Sequence, residues 1–225
     1  SSPGIIARLS SSWHDCAYSE SNLLADYRLQ HHAQSLETDN RVKPDALLQR
    51  HARYFGNVLH RALQAVTETD YRQWQPQRID EQRLFWQLGL EQMGTPVTLA
   101  VQQSHQLTHI IAQVLTSDVG RWILDHQHEN SACELRLLRM AKNNEVKEYI
   151  IDRTFVDRDT NVRWIIDYKS SQPSVDQTLE NFLTEQSDLY KVQLDTYRQL
   201  FDTQVNAISC ALYFPLIDSF HIVFT

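Results

Sequence analysis

The chain is poor in the residues that build loops and in those that build cross-links. Glycine occurs five times and proline six times in 225 residues. So few backbone breakers exclude long flexible linkers and a turn-rich all-β architecture. Cysteine occurs three times, as Cys16, Cys133 and Cys210, far apart and without a Cys-x-x-Cys pair. That spacing provides no disulfide framework, no zinc ribbon and no local four-cysteine iron–sulfur site. A reducing, cytoplasmic setting is the simplest expectation. No apolar run reaches the roughly 18 residues of a membrane span, and no basic-then-apolar signal pattern is seen. Positive charge is also in deficit. The formal net charge is −7, unlike a stand-alone nucleic-acid-binding module. Carboxylates grouped in a metal site would push the balance this way.

What is present is ordinary for a globular chain, with 42% hydrophobic and 22% charged residues. The length suits one large domain, or one domain with a helical appendage. Two textures divide it. Residues 1–128 read as helices, with apolar stripes in Ser19 to Gln34, from Pro44 through Leu48, and in Gly56 to Glu68, Asp80 to Met93, Val101 to Leu115 and Asp118 to Leu124. Residues 129–225 change period. Cys133 to Met140, Lys147 to Val156 and Val162 to Tyr168 read as strands. Thr184 to Phe201 reads as a helix, and Val205 to Phe214 and Phe220 to Phe224 as closing strands. A β-β-β-α-β-β order behind a helical portion predicts an α/β fold with a mixed sheet, because a helix between strands permits a parallel crossover. The start at Ser1-Ser2-Pro3-Gly4 and the stop on an apolar stretch read as a piece cut from a longer protein.

Charge placed inside apolar strands carries the chemistry. Asp167-Tyr168-Lys169 closes the run Val162 to Ile166. An acid and an amine there would be costly if buried without partners. Two apart on a strand, Asp167 and Lys169 share one side. Asp152 interrupts a second apolar strand after Tyr149-Ile150-Ile151. A hairpin between these strands would join the two carboxylates, a donor set suited to Mg²⁺. A neighbouring lysine could orient or help deprotonate a water.

This pattern resembles the PD-(D/E)xK nuclease superfamily, with Asp152 as the first acid and Asp167-x-Lys169 as the second half of the motif. Three more segments resemble its RecB/AddA-type branch. These are Gly56-Asn57-Val58-Leu59-His60, Ile151-Asp152-Arg153, and Gln193-Leu194-Asp195-Thr196-Tyr197 preceded by Tyr190. The likeness spans roughly Gly56 to Phe214. It implies a restriction-endonuclease-like mixed sheet flanked by helices, with a helical N-terminal portion at 1–128 and the nuclease core at 129–225. It implies a Mg²⁺ (or Mn²⁺) ion held by His60, Asp152, Asp167 and the Tyr168 carbonyl, with Lys169 positioning the attacking water. Tyr190, Gln193 and Tyr197 would contact DNA or brace the site. Glu134 matches an acidic position of the family whose role stays open. The implied activity is exonucleolytic cleavage of single-stranded DNA. The implied partners are DNA, a helicase domain of the same chain and other subunits of a helicase-nuclease. The turn after Lys169 departs from the family, with Ser170-Ser171 in place of threonine. No Gly-x-x-x-x-Gly-Lys-Ser/Thr stands in these residues, so an ATPase would lie outside them.

Plainer readings compete. The Asp167–Lys169 pair could be an exposed ion pair, and His60 a structural histidine on an amphipathic helix. His105 and His109, four apart on a helix, could begin a zinc site but lack an evident third ligand. The five tryptophans suit a core better than base stacking. A nuclease fold without activity, serving in DNA binding or docking, is the alternative function.

Overall fold

The two apolar segments beginning at Pro44 and at Gly56 are one helix of 25 residues, α1 (Pro44–Glu68), in the computed structural model of the protein. The structure describes residues 5–8, 44–140, 144–201 and 207–225. Trp13, Cys16, His31, His32 and the segment expected as a helix from Ser19 to Gln34 lie outside them. A proline in the first turn opens α1 and also α2 (Pro76–Gln92), where its missing N–H has no helical partner to lose. Helices α3 (Val97–Thr116) and α4 (Asp118–Leu124) follow, and the Ser117 side chain caps α4 by accepting from the Gly120 N–H.

Among the described residues the sheet has six strands: β1 (Ile5–Arg8), β2 (Glu129–Met140), β3 (Val146–Val156), β4 (Arg163–Tyr168), β5 (Ile208–Phe214) and β6 (Ser219–Phe224). They lie side by side in sequence order. All neighbours are antiparallel except β4 and β5, which run parallel and are joined by helix α5 (Leu179–Gln199). The expected mixed sheet with flanking helices is therefore observed. Several expectations need correction, among them the starts of α2 at Pro76 and not Asp80 and of α3 at Val97 and not Val101. Residues 5–8 form an edge strand on β2 and not helix, because Ile5-Ile6-Ala7 is a short apolar run without alternation, which periodicity cannot tell from a helix segment. Strand β2 begins at Glu129 and not Cys133. Helix α5 begins at Leu179 and not Thr184, because the Thr178 hydroxyl caps it by accepting from the Asn181 N–H at 3.3 Å.

Apolar side chains cover both faces of the central strands. Ile166, Tyr168 and Tyr213 pack with α1 to α4, in one cluster with Leu59, Leu63, Leu107 and Ile111. Their alternates Ile165, Leu212 and Phe214 pack with Phe182, Leu194 and Tyr197 of α5. Strand alternation sends successive residues to opposite faces, so a strand buried on both sides reads as a continuous apolar run. The helical portion thus shares its core with the sheet, and α1 and α5 lie on opposite faces of it. Trp74 and Trp86 are buried in the first cluster, and Trp122 and Trp164 pack against it.

Candidate active site

The hairpin β3–β4 brings together the acids that interrupt its two strands. Ladder partners Arg153 and Ile166 fix the register. One step further on, the Asp152 carboxylate accepts a hydrogen bond from the Tyr168 N–H at 2.7 Å. The first acid is thereby tied to the backbone of the second half-motif. The Lys169 N–H donates to the Tyr213 carbonyl at 2.9 Å, which carries the parallel pairing with β5 one residue past Tyr168.

Glu134 reaches the same place from β2. Its flanking residues pair Cys133 with Arg153 and Leu135 with Ile151, which sets Glu134 across from Asp152. Its φ of 46° lies in the left-handed region. A residue without glycine's freedom held there in a strand costs about 1–3 kcal/mol, a strain that clusters at functional sites. His60 arrives from α1, with Nδ1 3.5 Å from Asp152 Oδ1 and 27% of its side chain exposed. Its ring stands nearly perpendicular to the buried Tyr168 ring at a centroid distance of 5.7 Å. Gly56, one turn earlier on the same helix, explains the close approach. A Cβ at that position would lie 2.9 Å from Ser170 Oγ, just beyond Lys169.

His60, Glu134 and Asp152 each offer a ligand atom, and these atoms lie within 4.8 Å of one another. One imidazole nitrogen and two carboxylate oxygens form a donor set that fits a divalent cation. Asp167 stands beside this group, held by charge. Its Oδ2 forms an ion pair with Lys169 Nζ at 2.5 Å, and its Oδ1 accepts from Gln193 Nε2 at 3.3 Å. The structure thus brings all eight expected residues to one corner of the sheet. The ligand atoms that converge belong to His60, Glu134 and Asp152, and Asp167 is instead engaged with Lys169 and Gln193. Glu134 had an acidic position in the sequence reading but no role. His105 and His109 are exposed and belong to no such group among the described residues.

The charges in this corner disturb one another. Burial alone would lower the His60 pKa, but the Asp152 carboxylate outweighs it and, with Glu134 and Asp167, raises the imidazole to about 9. Burial and then the Asp152 charge raise Glu134 to about 7 and Asp167 to about 6. Burial opposes ionisation of Asp152 as well, but the His60 charge and hydrogen bond, the Tyr168 N–H and Lys169 hold its pKa below the usual range. A tight cluster of acids whose affinities for the proton are driven apart is a mark of functional sites. The excess negative charge that raises three of these groups is what a bound cation would neutralise.

No curated protein matches the chain. The sequence profile of the PD-(D/E)XK nuclease superfamily matches residues 17–218, which take in every residue of the site. With that span and this α/β sheet, the chain belongs to the PD-(D/E)XK nuclease superfamily.

Proposed function

We propose that the chain is a deoxyribonuclease domain that hydrolyses phosphodiester bonds of single-stranded DNA from an end, using Mg²⁺ or Mn²⁺. In this reading it is the nuclease part of a cytoplasmic helicase-nuclease that processes double-strand breaks for recombinational repair. The observation that carries the chemistry is the convergence of His60, Glu134 and Asp152 beside the Asp167–Lys169 pair. The placement within a helicase-nuclease rests on the segments Gly56 to His60, Ile151 to Arg153 and Gln193 to Tyr197.

His60, Glu134 and Asp152, whose ligand atoms converge, would hold the ion, with Asp167 and the Tyr168 carbonyl as the further oxygen donors that the family resemblance implies. The chemistry such an ion supplies is polarisation of the scissile phosphate and a lowered pKa for water. Lys169 keeps a positive charge where negative charge builds on the phosphoryl oxygens and orients the attacking water. Asp167 keeps the ammonium in place. Asp152, ionised and tied to the Tyr168 N–H, fixes the geometry between the two strands.

The test is cleavage of end-labelled single- and double-stranded DNA with Mg²⁺, Mn²⁺ or EDTA. Wild type should release product from single strands with either metal and none with EDTA. Asp167→Ala and Lys169→Ala should each lower the rate at least about a hundredfold while the fold survives by circular dichroism. Cleavage at the wild-type rate in the double variant would sink the proposal. Absence of Mn²⁺ binding in calorimetry at millimolar metal would favour a docking module instead.

A further inference from the structure

Helix α5 lies on the face of the sheet opposite α1 and contributes none of the three converging ligand atoms, yet it touches both charged groups of the second half-motif. Lys169 Nζ sits 3.6 Å from the centroid of the Tyr190 ring. Gln193 Nε2 lies 3.3 Å from Asp167 Oδ1 and 2.9 Å from Tyr197 Oη. Positions 190, 193 and 197 recur three and four apart, which puts them on one stripe of the helix. The stripe faces the Asp167–Lys169 pair.

We propose that Tyr190 and Gln193 are positioning residues, holding Lys169 and Asp167 from the α5 side. Deepening the nuclease reading, the proposal rests on Lys169 serving that chemistry. Three observations favour a brace over a DNA contact. Both N–H bonds of the Gln193 amide are committed, one to Asp167 and one to Tyr197, so reading a strand with them would break the contact to Asp167. Tyr197 is buried, at 8% exposure, and cannot stack a base. The face of the Tyr190 ring is occupied by the lysine ammonium, and the same face cannot also stack a base.

The physical need is clear. Lysine carries its charge on a flexible four-carbon stem, and Asp167 alone fixes one direction of it. An aromatic face attracts the ammonium through the ring quadrupole without taking its protons or competing for a metal. Lys169 is then confined between a carboxylate and a ring, with its position set by two elements, β4 and α5. The arrangement keeps a freely rotating amine at one point beside the acids. Phenylalanine retains the ring face, whereas leucine or glutamine at 190 removes it.

The experiment uses this chain with Tyr190→Phe, Tyr190→Leu and Tyr190→Gln. The first readout is the ε-methylene resonance of Lys169, identified by its loss in Lys169→Arg. The chain has only five lysines, Lys43, Lys142, Lys147, Lys169 and Lys191, so the signal is resolvable. A lysine held over a ring is shifted upfield by the ring current. That shift should be present in wild type and Tyr190→Phe and absent in Tyr190→Leu and Tyr190→Gln. The second readout is single-stranded DNA cleavage. Loss of the ring should lower kcat about tenfold, as a cation–π contact of this kind implies. KM for DNA and the Mn²⁺ affinity should stay near wild type, and Tyr190→Phe should restore kcat. A raised KM with an unmoved lysine resonance in Tyr190→Leu would make Tyr190 a DNA contact and overturn the proposal. A full kcat in both Tyr190→Leu and Tyr190→Gln would also overturn it. Should wild type cleave no DNA at all, the nuclease reading fails, and the lysine resonance still decides whether Tyr190 holds Lys169.

Discussion

Helices α1 and α5 reach the same corner from opposite faces of the sheet, and they are held there differently. Helix α1 buries Tyr54, Phe55, Val58, Leu59, Ala62, Leu63 and Val66 in one cluster with α2 to α4. Helix α5 buries Phe182, Leu194 and Tyr197 and leaves Leu189 and Val192 exposed at 65% and 78%. Each fully buried aliphatic or aromatic side chain contributes about 1.5–3 kcal/mol, so α1 is much the more firmly anchored. It carries His60, whose nitrogen the proposed metal site requires to be held in place. The lighter helix carries contacts to Lys169 and Asp167. Precision is thus assigned to the helix with the larger buried face, where side-chain positions are locked by packing.

The anchoring of the α1 layer can be broken at Arg153. This side chain is fully buried, and it donates to the Ile123 and Asp125 carbonyls at 2.8 Å each and to Ser131 Oγ at 2.6 Å. It closes the C-terminus of α4, where carbonyls are unpaired and the helix dipole is negative. Its guanidinium also lies 4.8 Å from the Phe155 ring centroid. Arg153→Met keeps much of the apolar volume but leaves several buried acceptors unpaired, each worth about 1–3 kcal/mol. The expected loss is at least about 3 kcal/mol in urea unfolding. A loss below about 1 kcal/mol would mean that the helical layer does not depend on this tie.

The division of labour predicts unequal losses of metal affinity. At the proposed metal site His60→Ala removes a ligand atom and should weaken Mn²⁺ binding on the order of a hundredfold or more in calorimetry. Gln193→Ala removes only an orienting contact to Asp167 and should weaken it about tenfold. Equal losses would erase the distinction between the two helices.

What the sequence made legible follows the same physics. Asp152, Asp167 and Lys169 stood out because charge inside an apolar strand is expensive, and the hairpin does bring them together. The helical periods of α1 from Gly56 and of α3 were visible for the same reason that these helices bury a stripe, whereas in α2 the expected stripe residues Leu84, Phe85 and Leu88 are exposed and Ile79, Trp86 and Leu90 are buried. The convergence of Glu134 with His60 and Asp152 was not visible, because it is set by the pairing of β2 with β3, and no spacing encodes its left-handed φ. The pairing of Ile5–Arg8 with β2 is a long-range contact across more than a hundred residues of chain, beyond any local pattern. The spacing of Tyr190, Gln193 and Tyr197 was readable, but the object their stripe faces is set by the crossover of α5, which is tertiary. Arg153 was visible only as part of a motif, and its ties to α4 emerge only in the folded chain.

Two helical glycines offer the smallest and sharpest comparison. At Gly56 in α1, an added Cβ would meet Ser170 Oγ at 2.9 Å. At Gly89 in α2, the nearest atom would be Val58 Cγ2 at 3.9 Å, an ordinary contact. A serine hydroxyl can rotate away from one methyl but not from a branched side chain. Gly56→Val should therefore push α1 from the β4 exit and destabilise the protein by about 1–3 kcal/mol, with His60 displaced and Mn²⁺ affinity reduced. Gly89→Ala should do the opposite, raising stability by about 0.5–1 kcal/mol through helix propensity alone and leaving metal affinity unchanged. Thermal unfolding with and without Mn²⁺ reads both. If Gly56→Val kept wild-type metal affinity, close approach of α1 would not be what places His60, and the glycine four residues before it would need another explanation.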